Sequence, residues 1–289
     1  MTPEIEKNIE SFFLFINERE NIRVKKEDLK LPFPWTEDEV LRTYSFTNVK
    51  RANDRTTRWV NDNWYSKHLQ DDEKLQFINC GIFRWFGTVE FGNKLGWQNE
   101  FFPAKIEEVA RFMLQTGQKV FTGAYIITNG GISGPKQEVV INYYLKPLWN
   151  SIPDLLEIAE STKSWEAVAR AMSVVPGHGG SGFMTKEVLL DVFHTSIFNN
   201  MKDEKTWTPI GPGARRGLNR IYGRLHESNL STGIALKEIR EIQTFTEKYW
   251  KHSFELYTTD IQFQLCEFDK YQRVRNNQGR PRSTYKVKK

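Results

Sequence analysis

The chain has 289 residues, of which 39% are hydrophobic and 13% aromatic, and this composition predicts a folded protein with a sizeable core. Its formal net charge of +5 comes from positions 270–289, where eight Lys or Arg and no acid form a basic tail that could bind phosphate or simply be solvated. The two cysteines and five histidines lack metal-ligand spacing and no apolar run is long enough to cross a bilayer, so we expect a cytoplasmic protein without a membrane segment, a disulfide framework or a histidine metal site.

Helical periodicity predominates along the chain. Apolar residues recur at helical spacing over positions 5–16, 77–86, 106–114, 152–159, 165–172, 235–250 and 259–271. Thr36 is the expected N-cap of a second helix. Positions 120–128 favour β structure and lead into a glycine pair, so the region 120–141 is predicted to form a small β-hairpin or a loop insertion. We therefore expect an all-α fold over positions 1–289, as a single helical unit or as two lobes.

A glycine-rich segment at positions 175–184 (VPGHGGSGFM) lies between two of the predicted helices. Its glycines tolerate positive φ and let backbone N–H groups come close to a ligand. We predict a helix-hairpin-helix element over positions 164–194 that binds a nucleic-acid phosphate. The candidate DNA contacts in it are Gly177, His178, Gly179, Gly180, Gly182 and Lys186. Two other interpretations stay open: a Walker-type phosphate loop, which would lack its lysine and hydroxyl residue, and an ordinary tight turn.

Three arginines lie close together in the first part of the chain, at positions 51–58. Arg51, Arg55 and Arg58 have the spacing i, i+4 and i+7, which predicts one helical face with Asp54 beside it. Guanidinium groups suit the paired oxygens of a phosphate group, so Arg51 and Arg55 are candidate phosphate ligands. A solvated, salt-bridged face is the alternative.

Acidic residues with a possible chemical role lie in the second half of the chain. Glu267 and Asp269 stand next to Lys270, and Asp191 is near the end of the helix that follows the glycine-rich segment. Any of these carboxylates, or Asp54, could accept a proton, and two of them together could hold Mg²⁺. Each acid is also compatible with a structural role.

Four further stretches, together with the glycine-rich segment, carry a resemblance to a known family. They are positions 46–49 (FTNV) with Arg51, Asp54 and Arg55; positions 123–127 (GAYII); positions 211–218 (GPGARRGL); and positions 265–271 (LCEFDKY) with Arg273. As a set they resemble the phage α-glutamyl/putrescinyl thymine pyrophosphorylases, whose sequences overlap the helical domain of 5-hydroxymethyluracil DNA kinases. The resemblance implies a fold like that of helix-hairpin-helix DNA glycosylases and a place of action in the phage-infected bacterial cell.

The implied activity is displacement of pyrophosphate from 5-pyrophosphoryloxymethyl-uracil in double-stranded DNA by the nitrogen of an amino acid or polyamine. Such chemistry needs a pocket for an everted base, cations for the leaving group and a proton acceptor. Asn48, Trp85 and Tyr125 are candidates for the base pocket, although the aromatic residues could equally be core. Pyrophosphate would bind Arg51, Arg55, Lys270 and Arg273, and the proton acceptor would be Asp191, Glu267, Asp269 or Asp54. The resemblance implies no particular cofactor, and Mg²⁺ could assist.

The chain departs from glycosylases of this superfamily at one place. Those enzymes carry a catalytic aspartate in a pattern like Asp-Thr-x-Val-Arg-Arg, whereas positions 211–216 have no carboxylate. Base excision is therefore not expected, while Arg215 and Arg216 remain suited to phosphate and are candidate DNA contacts. The alternatives to the transferase are a DNA glycosylase or lyase acting on modified pyrimidines, a 5-hydroxymethyluracil DNA kinase, which the missing phosphate loop disfavours, and a DNA-binding accessory of such a kinase.

Overall fold

The computed structural model describes residues 2–180, 182–279, 281 and 284–285. All regular elements in these ranges are helical, apart from an isolated bridge between Tyr44 and Thr284, so the prediction of an all-α protein is confirmed. The α-helices are α1 (Pro3–Arg23), α2 (Glu39–Thr43), α3 (Arg55–Asn63), α4 (Glu73–Phe86), α5 (Val89–Leu95), α6 (Pro103–Gln115), α7 (Lys136–Val139), α8 (Lys146–Thr162), α9 (Trp165–Met172), α10 (Phe183–Val192), α11 (Pro212–Ile221), α12 (Thr232–Gln243), α13 (Thr246–Tyr249) and α14 (Thr258–Arg275).

The chain divides into two compact units. Unit 1 consists of residues 1–54 and 205–289 and contains α1, α2 and α11 to α14. Unit 2 consists of residues 55–204 and contains α3 to α10. In the described ranges, no helix is both long and apolar enough to cross a membrane. The predicted basic tail begins inside α14, and its residues Arg280, Arg282, Lys286, Lys288 and Lys289 lie outside the described residues.

The core of unit 1 is formed by α1, α11, α12 and α14, which contribute buried side chains such as Phe12, Leu218 and Ile239. The closest crossing is between α11 and α14. A β-carbon at Gly217 on α11 would lie 2.4 Å from the carbonyl oxygen of Leu265 on α14. A β-carbon at Gly213 would lie 2.7 Å from Sγ of Cys266, also on α14. The two glycines, spaced i and i+4, therefore let the backbones approach each other. Two stretches that carry the resemblance, 211–218 and 265–271, thus pack against one another.

Unit 2 is built around α4, which is buried along most of its length. Asp72 begins this helix by accepting hydrogen bonds from two backbone N–H groups, and Gly87, with a φ of 69°, ends it. A helix that is apolar on all sides needs neighbours on all sides, and α4 packs against both α8 and α10. The contact with α8 is close, because a β-carbon at Gly81 would lie 2.7 Å from the side chain of Leu148.

Two local predictions need correction, and the structure decides between the two alternatives of a third. Helix α2 is capped by Asp38, whose carboxylate accepts from the N–H of Leu41, and Thr36 instead accepts from the N–H of Asp38. The periodic stretch 235–250 is two helices, because the chain turns after Gln243. The region 120–135 contains no strand and is a loop, which glycines with positive φ turn repeatedly before α7 begins. The loop-insertion alternative is therefore the correct one.

Candidate functional site

The glycine-rich segment joins α9 and α10, whose positions agree with the periodicity of the sequence. Ser164 caps α9, and the loop between the helices comprises residues 173–182. Gly177, Gly180 and Gly182 have φ values of 83°, 66° and 70°, in the left-handed region that favours glycine. The backbone of Gly177, Gly179 and Gly180 is exposed, so the glycine part of this loop presents main chain to solvent.

His178 lies inside the loop rather than on its surface. The indole N–H of Trp85 donates to Nε2 of His178 at 3.1 Å, and Nδ1 is 3.0 Å from the carbonyl oxygen of Pro176. The ring is therefore neutral with its proton on Nδ1. Burial lowers the pKa of His178 to about 4, which keeps the ring neutral. The imidazole, predicted as a DNA contact, is fully buried and fastens the loop to α4.

Trp85 and Gly177 belong to the same packing arrangement. The indole of Trp85 stacks on Tyr144 with ring centroids 4.5 Å apart, and its side chain is 3% exposed. A β-carbon at Gly177 would lie 2.5 Å from the ring of Tyr144. The loop thus rests on this aromatic pair. Trp85, a predicted base-pocket residue, is a core residue in this structure and has almost no surface for a flipped base.

Asp191, a predicted proton acceptor, lies in a buried charge cluster. Arg84 donates from Nε to Oδ2 at 2.6 Å and from Nη2 to Oδ1 at 2.5 Å, and the hydroxyl of Tyr65 donates to Oδ2 at 2.6 Å. Burial alone would lower the pKa of Arg84, but the charge and hydrogen bonds of Asp191 outweigh it and the pKa lies well above its usual range. Burial, reinforced by Asp191, raises the pKa of Tyr65 well above its usual range. The carboxylate is fully buried and bound on both oxygens.

Sequence reasoning missed Arg84 and Tyr65. The available signal was an arginine in the otherwise apolar stretch 77–86, because a charge there must find a buried partner.

Two predicted site residues, Tyr125 and Lys186, lie in the same unit. The hydroxyl of Tyr125 donates to the carbonyl oxygen of Arg84 at 2.5 Å, and its ring contacts Phe183 at the start of α10. Lys186 is buried, with Nζ 3.9 Å from a carboxylate oxygen of Glu187.

In unit 1, three arginines converge on Asp269. Arg216 and Arg220 of α11 donate from Nε to the two carboxylate oxygens at 3.0 and 2.8 Å, and Nε of Arg273 is 3.4 Å from Oδ2. Asp269 is fully buried. We call these four residues the Asp269 cluster. Three guanidinium groups around one carboxylate leave two positive charges in excess. Arg220 was not predicted, although its spacing from Arg216 placed both on one face of α11.

The other charged candidates of this region lie apart from the cluster. Glu267 accepts from Lys270 at 2.7 Å, and Arg215 donates to the hydroxyl of Thr232 at 3.0 Å. In the ranges that the structure describes, no three His, Cys, Asp or Glu side chains are arranged as metal ligands. Mg²⁺ bound with the help of Glu267 and Asp269 stays a prediction, and each of these carboxylates already has a cationic partner.

The prediction that Arg51, Arg55 and Arg58 share a helical face is wrong. Arg51 belongs to a short 3₁₀ turn, Asp54 is extended with φ −67° and ψ 136°, and α3 begins only at Arg55. The helix cannot extend back through Asp54, whose carboxylate accepts from the N–H of Asn48 at 3.0 Å. The guanidinium of Arg51 lies 4.7 Å above the ring of Phe263, whereas Arg55 and Arg58 are exposed on α3.

A polar cavity of about 180 Å³ lies in unit 1, beside the 46–49 stretch. We call it the Arg19 cavity. Its charged and polar lining consists of Arg19, Arg23, Lys26, Glu27, Ser45, Thr47, Asn48 and Asp54, and its apolar or aromatic lining of Ile22, Leu41, Phe46 and Tyr285. Two predicted site residues, Asn48 and Asp54, therefore line one cavity. The side chain of Gln264 on α14 donates to the carbonyl oxygens of Asn48 and Val49, which holds the 46–49 stretch against that helix.

Comparison with known proteins finds a family and a relative that match most of the chain. The sequence matches the family described as the helical domain of 5-hmdU DNA kinase over residues 6–280, a range that includes all the stretches discussed above. A curated relative, the 5-hmdU DNA kinase of Bacillus phage SP10, is 27% identical over an alignment 288 residues long that covers 90% of this chain. The alignment covers 44% of that protein, so the chain spans less than half of its relative's length. No solved structure matches. Because the match extends over nearly all of its length, the chain belongs to the family of the 5-hmdU DNA kinase helical domain.

Proposed function

We propose that the protein is an enzyme of phage thymine hypermodification that displaces pyrophosphate from 5-pyrophosphoryloxymethyl-uracil in DNA with the nitrogen of an amine. The name of the relative, 5-hmdU DNA kinase, supports a substrate that is a modified base in DNA. In the reaction, the lone pair of the amine attacks the methylene carbon and the bond from that carbon to the pyrophosphate oxygen breaks. Pyrophosphate leaves with the electron pair, and the amine loses one proton.

The Asp269 cluster is the observation that carries this proposal. Charge grows on pyrophosphate as the bond breaks, so cations that are already in place stabilise the transition state more than the ground state. Asp269 holds three guanidinium groups together, which lowers the reorganisation needed when the leaving group forms. The side chains of Arg216 and Arg273 are 29% and 38% exposed, enough to contact a ligand, whereas that of Arg220 is 8% exposed.

The proton acceptor that fits this scheme best is Asp54. Asp191, Glu267 and Asp269 are each at most 5% exposed and hold a cationic partner, which leaves little room for a substrate. Asp54 also has a cationic neighbour, with Oδ2 3.9 Å from Nε of Arg51, but it lines a cavity that a small amine can enter and its side chain is 23% exposed.

DNA would bind in part through the loop between α9 and α10. Exposed glycine backbone followed by the first turn of a helix offers N–H groups to phosphate without contacting a base. In this scheme His178 and Trp85 hold the loop in shape, and the main chain of Gly177, Gly179 and Gly180 contacts the DNA.

The experiment uses DNA that carries pyrophosphorylated hydroxymethyluracil, a pool of amino acids and polyamines, and mass spectrometry of the released nucleosides. Under single-turnover conditions we expect Arg273→Gln to slow amine transfer by roughly ten- to a thousandfold, as for loss of one preorganised donor. The matched control is Arg275→Gln, which removes an exposed arginine from the same helix turn and should leave the rate unchanged. Absence of any transfer by the wild-type chain would refute the proposal.

A second candidate function is a DNA-binding accessory of a kinase. It is favoured by the match to a helical domain and by the 44% coverage of a relative that is named as a kinase. An accessory would bind the same DNA tightly, transfer no amine and raise the rate of a separately supplied 5-hmdU kinase. Release of a free base in the same assay would instead identify a glycosylase.

A further inference from the structure

The guanidinium of Arg19 is a buried charge without an adjacent counter-ion. Arg19 is 7% exposed, Nη1 donates to the neutral side chain of Gln264, and the group lies over the rings of Phe15 and Phe46 at 5.1 and 5.5 Å. Among the described residues, no carboxylate oxygen lies within 4.0 Å of it, and no hydrogen bond is made by its Nε or Nη2. Charged groups inside proteins are normally paired, because an unpaired buried charge is costly.

The side chains around Arg19 explain why it stays charged but supply no partner. Burial lowers the pKa of Arg19, and attraction from Glu267, Asp54 and Glu20 acts against this from a longer distance. Glu267 and Glu20 are themselves bound to Lys270 and Arg23, at 2.7 Å each. The arrangement therefore presents a positive guanidinium to the cavity that it lines.

We propose that the Arg19 cavity binds the carboxylate of an amino acid that serves as the amine substrate, with Arg19 as its counter-ion. A carboxylate accepts two parallel hydrogen bonds from one guanidinium, and Nε with Nη2 is the edge that remains for it. The inference rests on the proposed function, because it identifies the class of amine that the transferase uses.

The remaining lining of the cavity agrees with a zwitterionic ligand. A volume of about 180 Å³ corresponds to roughly six water molecules, which suits a small amino acid. Asp54 lines the same cavity and can receive the ammonium group and then its proton. In the proposed scheme the pyrophosphate of the everted substrate binds the Asp269 cluster, so its neutral pyrimidine ring alone would leave Arg19 without a counter-ion.

Charge also separates the two classes of amine. The cavity is lined by three cationic side chains, Arg19, Arg23 and Lys26, and by two carboxylates, Glu27 and Asp54. A polyamine has no anionic group and would add at least two positive charges to this lining. Like charges in a partly buried site repel each other strongly. The cavity therefore selects amino acids against polyamines.

The test measures binding to the full chain by calorimetry, without DNA, so that it does not depend on turnover. The probes are glycine, glutamate, putrescine and inorganic phosphate. We expect an amino acid to bind the wild-type chain at least tenfold more tightly than putrescine or phosphate does. Arg19→Met should lose at least tenfold in that affinity, and Arg19→Lys should also weaken binding because lysine keeps the charge and loses the fork. Arg240→Gln, an exposed arginine elsewhere in unit 1, is the control and should bind normally.

We expect Arg19→Met to fold, because it removes the desolvation cost of an unpaired buried charge, which offsets the loss of the hydrogen bond to Gln264. Thermal denaturation without ligand verifies this, and addition of the amino acid should then raise the melting temperature of the wild-type chain but not of Arg19→Met. Equal binding of putrescine, phosphate binding without amino acid binding, or unchanged amino acid binding by Arg19→Met would each overturn the inference.

The two proposals fail in different ways. If an amino acid binds through Arg19 and no transfer to DNA follows, the proposed transferase activity is wrong and the binding site stands. If transfer occurs and Arg19→Met transfers glutamate and putrescine as the wild type does, the activity stands and the site is wrong.

Discussion

Arg84 and Asp191 form a bidentate ion pair inside unit 2, in which one guanidinium binds both carboxylate oxygens at 2.6 and 2.5 Å. The side chains are 5% and 1% exposed. The pair joins the central helix α4 to α10, the helix that follows the glycine-rich loop. Because the pair is buried between these two helices, it indicates a structural role for Asp191, which is to hold α10 against α4.

Asp191→Asn should therefore destabilise the protein. The substitution leaves the charge of Arg84 buried without its counter-ion, and breaking one partner of such a pair costs about 3–5 kcal/mol. Urea denaturation of this variant and of Asp62→Asn, which alters an exposed aspartate of α3, measures the difference. An unchanged denaturation midpoint combined with lost amine transfer would show that Asp191 acts in catalysis instead.

Gly217→Ala should weaken unit 1 through the crossing of α11 and α14. The new methyl group would meet the carbonyl oxygen of Leu265 at 2.4 Å, and neither backbone can give way cheaply. We expect a loss of about 3 kcal/mol, at the upper end of what overpacking costs. Gly233→Ala is the control, because a β-carbon there meets nothing within 4 Å. The free energy of unfolding should be lower for Gly217→Ala than for Gly233→Ala. Equal values for the two variants would mean that the helices can separate slightly without cost.

Gly180→Asp should weaken binding to double-stranded DNA, whereas Gly180→Asn should change it little. Gly180 has a φ of 66° and open space around it, and both Asn and Asp tolerate this backbone conformation. The two variants then differ only in a negative charge, which next to a phosphate costs on the order of 1 kcal/mol, or about fivefold in affinity. The difference should shrink as salt is added. Identical affinities of the two variants at low salt would remove this loop from the DNA interface.

His178 should make the protein less stable at mildly acid pH. Its pKa in the folded chain is about 4, against an ordinary value of 6.5, so between these values the unfolded chain binds the proton more readily. The stabilisation is complete above about pH 6.5 and is lost as the pH falls towards 4, by up to roughly 3 kcal/mol.

His178→Gln, which cannot titrate, should show a flatter dependence on pH over this window. The free energy of unfolding of both proteins at several values from pH 4 to 7 gives the comparison. Parallel curves would show that the imidazole takes up its proton without cost to the fold.

Much of the secondary structure was predictable because its signals are local. Helix α9 has the predicted bounds, and its apolar residues Trp165, Val168 and Met172 are buried. Where a polar side chain competes with the helix, periodicity was misleading: the extended backbone at Asp54 separates Arg51 from α3, although the spacing of the arginines was helical.

The sequence by itself determined the all-α class, the glycine-rich loop between two helices and the residue types available to bind phosphate, since apolar periodicity and glycine conformation act over a few residues. Only the tertiary structure decided which charges meet. It buried His178 against Trp85, paired Asp191 with Arg84, and left the guanidinium of Arg19 facing a cavity, with no carboxylate oxygen of the described residues within 4.0 Å of it. Arg216 and Arg220 reach Asp269 across 53 and 49 residues of chain. Such pairings depend on how closely distant helices pack, which at α11 and α14 is possible because two glycines leave the space.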